Sequence, residues 1–211
     1  MKFLWLTLVS FFPVLVQGNV SFQSNVIIDK NSLIKLSRND KVKAFLDLLA
    51  HGEGTSYHPD VKILTDQYRL SFCNDGKISS FKDHPRKRCC SPVGKRIICA
   101  TAAGRYMFLQ KTWDWVTQEI DLHDFSPLNQ DLAAIYLLVI SGAMQDILQD
   151  NIVGAISKAS RFWAPLPGND YKQPQTRIKE LLQVYSKRLN FHRRSVGELF
   201  KGKRGGPWTK K

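Results

Sequence analysis

The chain has 211 residues, enough for one domain with a real hydrophobic core. Its apolar content, 43%, is ordinary for a globular protein and implies neither a disordered chain nor a membrane bundle. Lys and Arg number 31 against 18 Asp and Glu, a net charge of +13, which favours an anionic partner. Nucleic acid, acidic lipid and bacterial envelope all qualify, so charge alone does not choose.

At the N-terminus Lys2 precedes an apolar run, Phe3 to Val16, interrupted only by Thr7, Ser10 and Pro13. The run is shorter than the roughly 20 residues a membrane helix needs. Val16 and Gly18 occupy the small-residue positions that precede a signal-peptidase cut. Residues 1–18 are therefore expected to be a cleaved export signal, placing the protein in the periplasm or outside the cell. Residues 19–38 are polar and aperiodic and read as a lead-in segment.

The first strong helical pattern follows Asn39, a good N-cap, with Val42, Phe45, Leu46, Leu49 and Ala50 at helical spacing. It runs into His51-Gly52-Glu53-Gly54-Thr55, whose glycines end the helix and leave Glu53 at its C-terminal turn. Next, Tyr68–Cys73 and Ile78–Phe81 flank Asn74-Asp75-Gly76-Lys77 and predict a hairpin, with Lys95–Thr101 as a third strand.

All four cysteines, Cys73, Cys89, Cys90 and Cys99, lie in this region. An oxidising compartment favours two disulfides, and the adjacent Cys89 and Cys90 are poorly placed to bond to each other. Each is expected to pair with one of Cys73 and Cys99, in either arrangement. Adjacent cysteines make poor joint zinc ligands, so no metal is expected, and nothing suggests a nucleotide or flavin cofactor.

The rest reads as helical: Tyr106–Ile120, then Ser126-Pro127 as cap and first residue of an apolar helix to Ile140. Shorter helices are predicted over Met144–Leu148 and Ile152–Arg161, and a last one from about Gln175 to Leu189. From Ser186 onward nine Lys or Arg face one acid, Glu198, a net of +8. Residues 190–211 read as a basic, disordered tail, either a solubilising end or an arm for an anionic envelope surface.

Glu53 is the candidate for chemistry. A free glutamate titrates near 4.3, whereas a general acid must keep its proton near neutral pH. A helix C-terminus and partial burial both push in that direction.

A set of ordered blocks gives this residue a context. Lys43-Ala44-Phe45-Leu46-Asp47-Leu48-Leu49-Ala50 with Glu53-Gly54-Thr55 opens the series. Asp83-His84-Pro85-Arg86-Lys87 and Thr101-Ala102-Ala103-Gly104-Arg105-Tyr106 follow. Then come Asp124-Phe125-Ser126-Pro127 with Gln130-Asp131, and finally Trp163-Ala164 and Leu166-Pro167-Gly168 with Tyr171 close behind. Together, over roughly residues 41–189, they resemble the bacteriophage lambda endolysin family.

The resemblance implies a lysozyme-like α+β fold over residues 39–189, mostly helical with a small antiparallel sheet beside the cleft. It implies a monomeric lytic transglycosylase acting on peptidoglycan glycan strands rather than on nucleic acid. Such an enzyme cuts the MurNAc–GlcNAc bond without water and leaves a 1,6-anhydro-muramyl end. Its single catalytic glutamate maps onto Glu53. Thr101, Gly104, Arg105, Tyr106, Trp163 and Tyr171 are the candidate substrate-binding residues, with Arg105 and Tyr106 as holders of saccharide or peptide-stem groups. Asp83 and Arg86 are expected to pair in a structural turn.

Met107 stands where the family has glutamine, and the signal, cysteine cluster and basic tail have no counterpart there. A hydrolytic muramidase would need a second carboxylate, for which Asp60, Asp66 and Asp83 are the candidates. A non-catalytic cationic envelope-binding protein would need none.

Overall fold

A computed structural model describes residues 28–73, 77–93 and 95–201. The expected signal at 1–18 and the last ten residues of the basic tail lie outside them.

The first helix, α1 (Lys30–Ser37), is capped by Asp29, whose carboxylate accepts the Ser32 N–H at 2.9 Å. Leu33 on its inner face is fully buried, so half of the expected lead-in belongs to the folded domain. Its mixed polarity hid this, because a short helix resting on a core needs only one deep anchor.

Helix α2 (Asp40–Gly52) begins as predicted, with the Asn39 side chain accepting the Lys41 N–H, and is buried along Val42 and Ala44–Ala50. Helix α3 (Gln110–Ile120) leads to α4 (Pro127–Ile140), capped by Ser126 with Pro127 at its first turn. Leu132–Leu138 of α4 are buried on every side, making α4 the axis of the core. Two short helices, α5 (Ala143–Leu148) and α6 (Ile152–Ala159), pack on each other and against α4.

The last helix, α7 (Ile178–Lys201), lies along α2 and continues twelve residues beyond the expected boundary at Leu189. The continuation is tied down. His192 within it, together with Arg188 just before the boundary, donates to the buried carboxylate of Asp47, at 2.8 and 2.6 Å respectively. Among the described residues no helix is long and apolar enough to cross a membrane.

The sheet departs from expectation. Its strands are β1 (Cys89–Val93) and β2 (Arg96–Ala100), antiparallel, with Cys90 opposite Cys99. Tyr68 instead ends a 3₁₀ turn, Leu64–Arg69, and drops its ring into the core. Among the described residues of the predicted hairpin only Ser71 pairs in strand fashion, with Ala103. Sequence periodicity missed β1 because this hairpin buries no continuous face. Ile97 is 70% exposed, and the ribbon is held by backbone pairing and covalent bonds.

Those bonds are Cys73–Cys89 and Cys90–Cys99, one of the two arrangements left open by the sequence. Removing either should cost about 2–4 kcal/mol, mainly by freeing the unfolded chain. Alkylation of the native protein should label no cysteine before reduction and four after it. Peptide mapping should recover the 73–89 and 90–99 links, and two or more labelled thiols in unreduced material would contradict the pairing.

Candidate active site

Glu53 is the C-cap of α2, its backbone N–H donating to Leu49 O at 2.9 Å. Gly54 follows in the left-handed conformation (φ 75°), which ends the helix and turns the chain. Thr55 is fully buried, and its hydroxyl lies 2.8 Å from Arg105 O and 3.0 Å from Ala50 O. The Glu-Gly-Thr sequence thus works as a unit: cap, reversal and anchor. It fixes the Glu53 backbone against the turn at residues 103–108.

That turn is closed by reciprocal bonds between Ala103 and Phe108, at 3.0 and 2.8 Å. It occupies the first residues of the helix predicted from Tyr106, so α3 starts four residues later. Gly104 has φ 79°, and a Cβ there would sit 2.3 Å from Gln130 Oε1 and 2.8 Å from the Phe125 ring. Gln130 bridges the turn to the core, accepting Arg105 N–H and donating to Phe125 O and Tyr68 O. Two of the sequence blocks are therefore one structural joint.

A cavity of about 440 Å³ opens over Glu53. Tyr57 stands on one side, and Phe72, Ile98, Ala100 and Ala102 form the wall built by the hairpin and its neighbouring strand segment. Met107 and Leu109 come from the turn before α3. Phe162, Ala164 and Gln173–Thr176 close the far side. This volume is in the range of a small-molecule or saccharide site.

Glu53 is half-buried, and its carboxyl forms no side-chain hydrogen bond with a described residue. Loss of solvent around it raises its pKa from the ordinary 4.5 to about 8. At neutral pH the group is an acid holding its proton. No other carboxylate is among the described residues lining the cavity.

The remaining candidates are distributed differently from expectation. Arg105 and Tyr106 are 5% and 1% exposed and do not line the cavity. Arg105 forms a close ion pair with Asp47, and its guanidinium also donates to Gln67 Oε1 at 3.0 Å and to Tyr106 Oη at 2.9 Å. Tyr68 and Tyr106 hydroxyls both donate to Asp131, at 2.9 and 2.6 Å. All their polar atoms are spent inside the protein, so these two residues support the site rather than hold a ligand.

Trp163 is likewise buried, its indole N–H donating to Tyr106 O at 3.2 Å, while its neighbours Phe162 and Ala164 face the cavity. Tyr171 is exposed but outside the lining, with its hydroxyl donating to Arg161 O at 2.6 Å. Gly104 is the pivot just described. Thr101 faces an adjoining cavity and accepts the Gln110 N–H at 3.0 Å.

The three candidate second carboxylates are engaged elsewhere. Asp66 accepts from the backbone of Lys62 and Ile63 and pairs with Lys77 at 2.7 Å. Asp83 pairs with Arg86 at 2.9 Å, as its spacing suggests, and Asp60 lies 3.7 Å from His58. None lines the Glu53 cavity. Tyr57, which is exposed, and Phe72 and Phe162, which are half-buried, carry no signal in the sequence, because aromatics outside regular helices and strands follow no period. Met107 was noticed only as a departure, and it does line the cleft.

A mostly helical body, a two-stranded antiparallel ribbon as one cleft wall and a half-buried acid at a helix end define a lysozyme-like α+β protein. The family model described as Endolysin matches residues 43–190, and the chain belongs to the endolysin family. It is 36% identical over 156 residues to the endolysin of Escherichia phage P2, covering 71% of this chain and 93% of that protein. To the endolysin of Escherichia phage lambda it is 34% identical over 149 residues, 70% and 90% of the two chains. Among solved structures, bacteriophage lambda lysozyme complexed with a chitohexasaccharide matches with a TM-score of 0.64 at 33% identity, covering 71% of this chain and 94% of that one. Another structure of lysozyme from bacteriophage lambda matches with a TM-score of 0.58 at 30% identity, covering 74% and 94%.

Proposed function

We propose that this chain is a lytic transglycosylase that cleaves the MurNAc–GlcNAc β-1,4 bond of peptidoglycan, with Glu53 as acid and base. The observation that carries this reading is a protonated Glu53 as the sole carboxyl among the described residues lining the cavity. The related lysozyme complexed with a chitohexasaccharide supports a glycan as occupant.

Glu53 gives its proton to the bridging oxygen as the bond from that oxygen to C1 of MurNAc breaks, releasing the GlcNAc 4-hydroxyl. The C6 hydroxyl oxygen of the same MurNAc then bonds to C1. Its proton returns to the Glu53 carboxylate. No water is consumed, the acid is regenerated, and a second carboxylate to activate water is unnecessary.

Mass spectrometry of muropeptides after digestion tests this. Each new MurNAc end should be one water lighter than the hydrolytic product. Reducing MurNAc ends would establish the hydrolytic muramidase instead. We further propose that the enzyme is exported and that its basic end meets anionic envelope surfaces. The disulfides and the +8 charge after Ser186 support these readings.

A further inference from the structure

The Glu53 cavity is lined by no Lys, Arg or His among the described residues. Directly beside it, sharing Ala100 and Leu109, is a second cavity of about 310 Å³ that contains Arg88, Thr101, Gln110 and Lys111. Its two cations arrive from separate elements, Arg88 from just before β1 and Lys111 from the first turn of α3. Among the described residues no acid lines it, and neither cation forms an ion pair with a described residue.

Both are firmly carried. Arg88 adjoins Cys89 and Cys90, which are bonded to Cys73 and Cys99. The backbone next to Lys111 is held by Thr101, whose hydroxyl oxygen accepts the Gln110 N–H and keeps its own proton to donate. Lys187 and Arg194 of α7 also line a cavity together, but that one shares no lining residue with the Glu53 cavity. Here two unpaired cations and a hydroxyl converge on a concavity that continues the cleft.

We infer that Arg88 and Lys111 form a subsite for a carboxylate of the peptide stem carried by the muramic residue at the cleavage site. This rests on the peptidoglycan reading above. Each muramic acid bears on its lactyl group a short peptide with several free carboxylates, so an anion necessarily enters beside the glycan. Guanidinium and ammonium groups are the natural partners of such carboxylates. The stem-holding cation suggested by sequence, Arg105, is buried and paired with Asp47, whereas Arg88 and Lys111 are exposed and free to serve.

The test compares two soluble substrates of equal length: glycan strands with native stems and the same strands with stem carboxylates converted to amides. The intact protein should prefer the native stems. In the double variant Arg88→Ala, Lys111→Ala the ratio of kcat/KM for native over amidated strands should fall about tenfold, the scale of losing a partly solvated charge-assisted hydrogen bond. The melting temperature should stay put, since both side chains are exposed. An unchanged ratio overturns the subsite, and so does an equal loss on both substrates, which would place the cations against the glycan. If the unaltered protein cleaves neither strand, the peptidoglycan reading itself fails and the subsite with it.

Discussion

Glu53→Gln is expected to abolish cleavage of purified sacculi while leaving the fold at least as stable as before. Glutamine keeps the size and shape of the side chain but has no proton to give. Removing a general acid typically costs ~10²–10⁴ in rate. In the unaltered protein kcat/KM should fall as pH rises through about 8, where the acid ionises.

Stability should move the other way, and the sign follows from linkage. Between the ordinary value of 4.5 and about 8 the folded protein holds a proton on Glu53 that the unfolded chain has released. Stability of the unaltered protein therefore declines as pH rises across that window. The glutamine variant lacks this slope, so its advantage in melting temperature should grow from pH 5 to pH 8. Turbidity clearing and thermal melts across pH check both statements. Retained activity would remove Glu53 from the chemistry, as expected of a non-catalytic envelope-binding protein. A melting difference that ignores pH would deny the raised pKa.

Asp47→Asn is expected to be the most destabilising conservative change in the chain. Burial would raise the Asp47 pKa, but Arg105, Arg188 and His192 hold it below the ordinary 3.8. Its loss leaves the Arg105 guanidinium, 5% exposed, with Asp131, 3.9 Å away, as its one carboxylate partner among the described residues. Breaking a buried ion pair on one side costs about 3–5 kcal/mol. That is a drop of roughly 10 °C for a domain of this size.

The stabilisation from ionised Asp47 is present above 3.8 and is lost as pH falls through its lower folded value. The gap between variant and parent should therefore narrow below pH 4. Below its own melting point the variant should keep near-parental kcat/KM, because Asp47 and Arg105 are absent from the cavity lining. A small melting shift with a large rise in KM would return Arg105 to substrate binding.

Much of this molecule is determined by local sequence. Asn39, Gly54 and the apolar face between them specify α2 and deliver Glu53 to its end, because capping and periodicity act over one or two turns. Ser126-Pro127 opens α4 for the same reason. The crowding of four cysteines into one segment marked a stapled region, although both pairings stayed open until Cys90 was seen opposite Cys99.

Other features depended on the tertiary structure. Whether Arg105 faces solvent or a buried aspartate depends on α2 and α7, which lie 58 and about 80 residues away in sequence. Hydrophobic pattern cannot see such a pairing, since a charged residue reads as surface until its partner is in place. Glu53 owes its raised pKa to loss of solvent, in a cavity whose walls include Phe72, Ile98, Met107 and Phe162, from four separate segments. Desolvation is a property of that enclosed space, and only the folded chain encloses it.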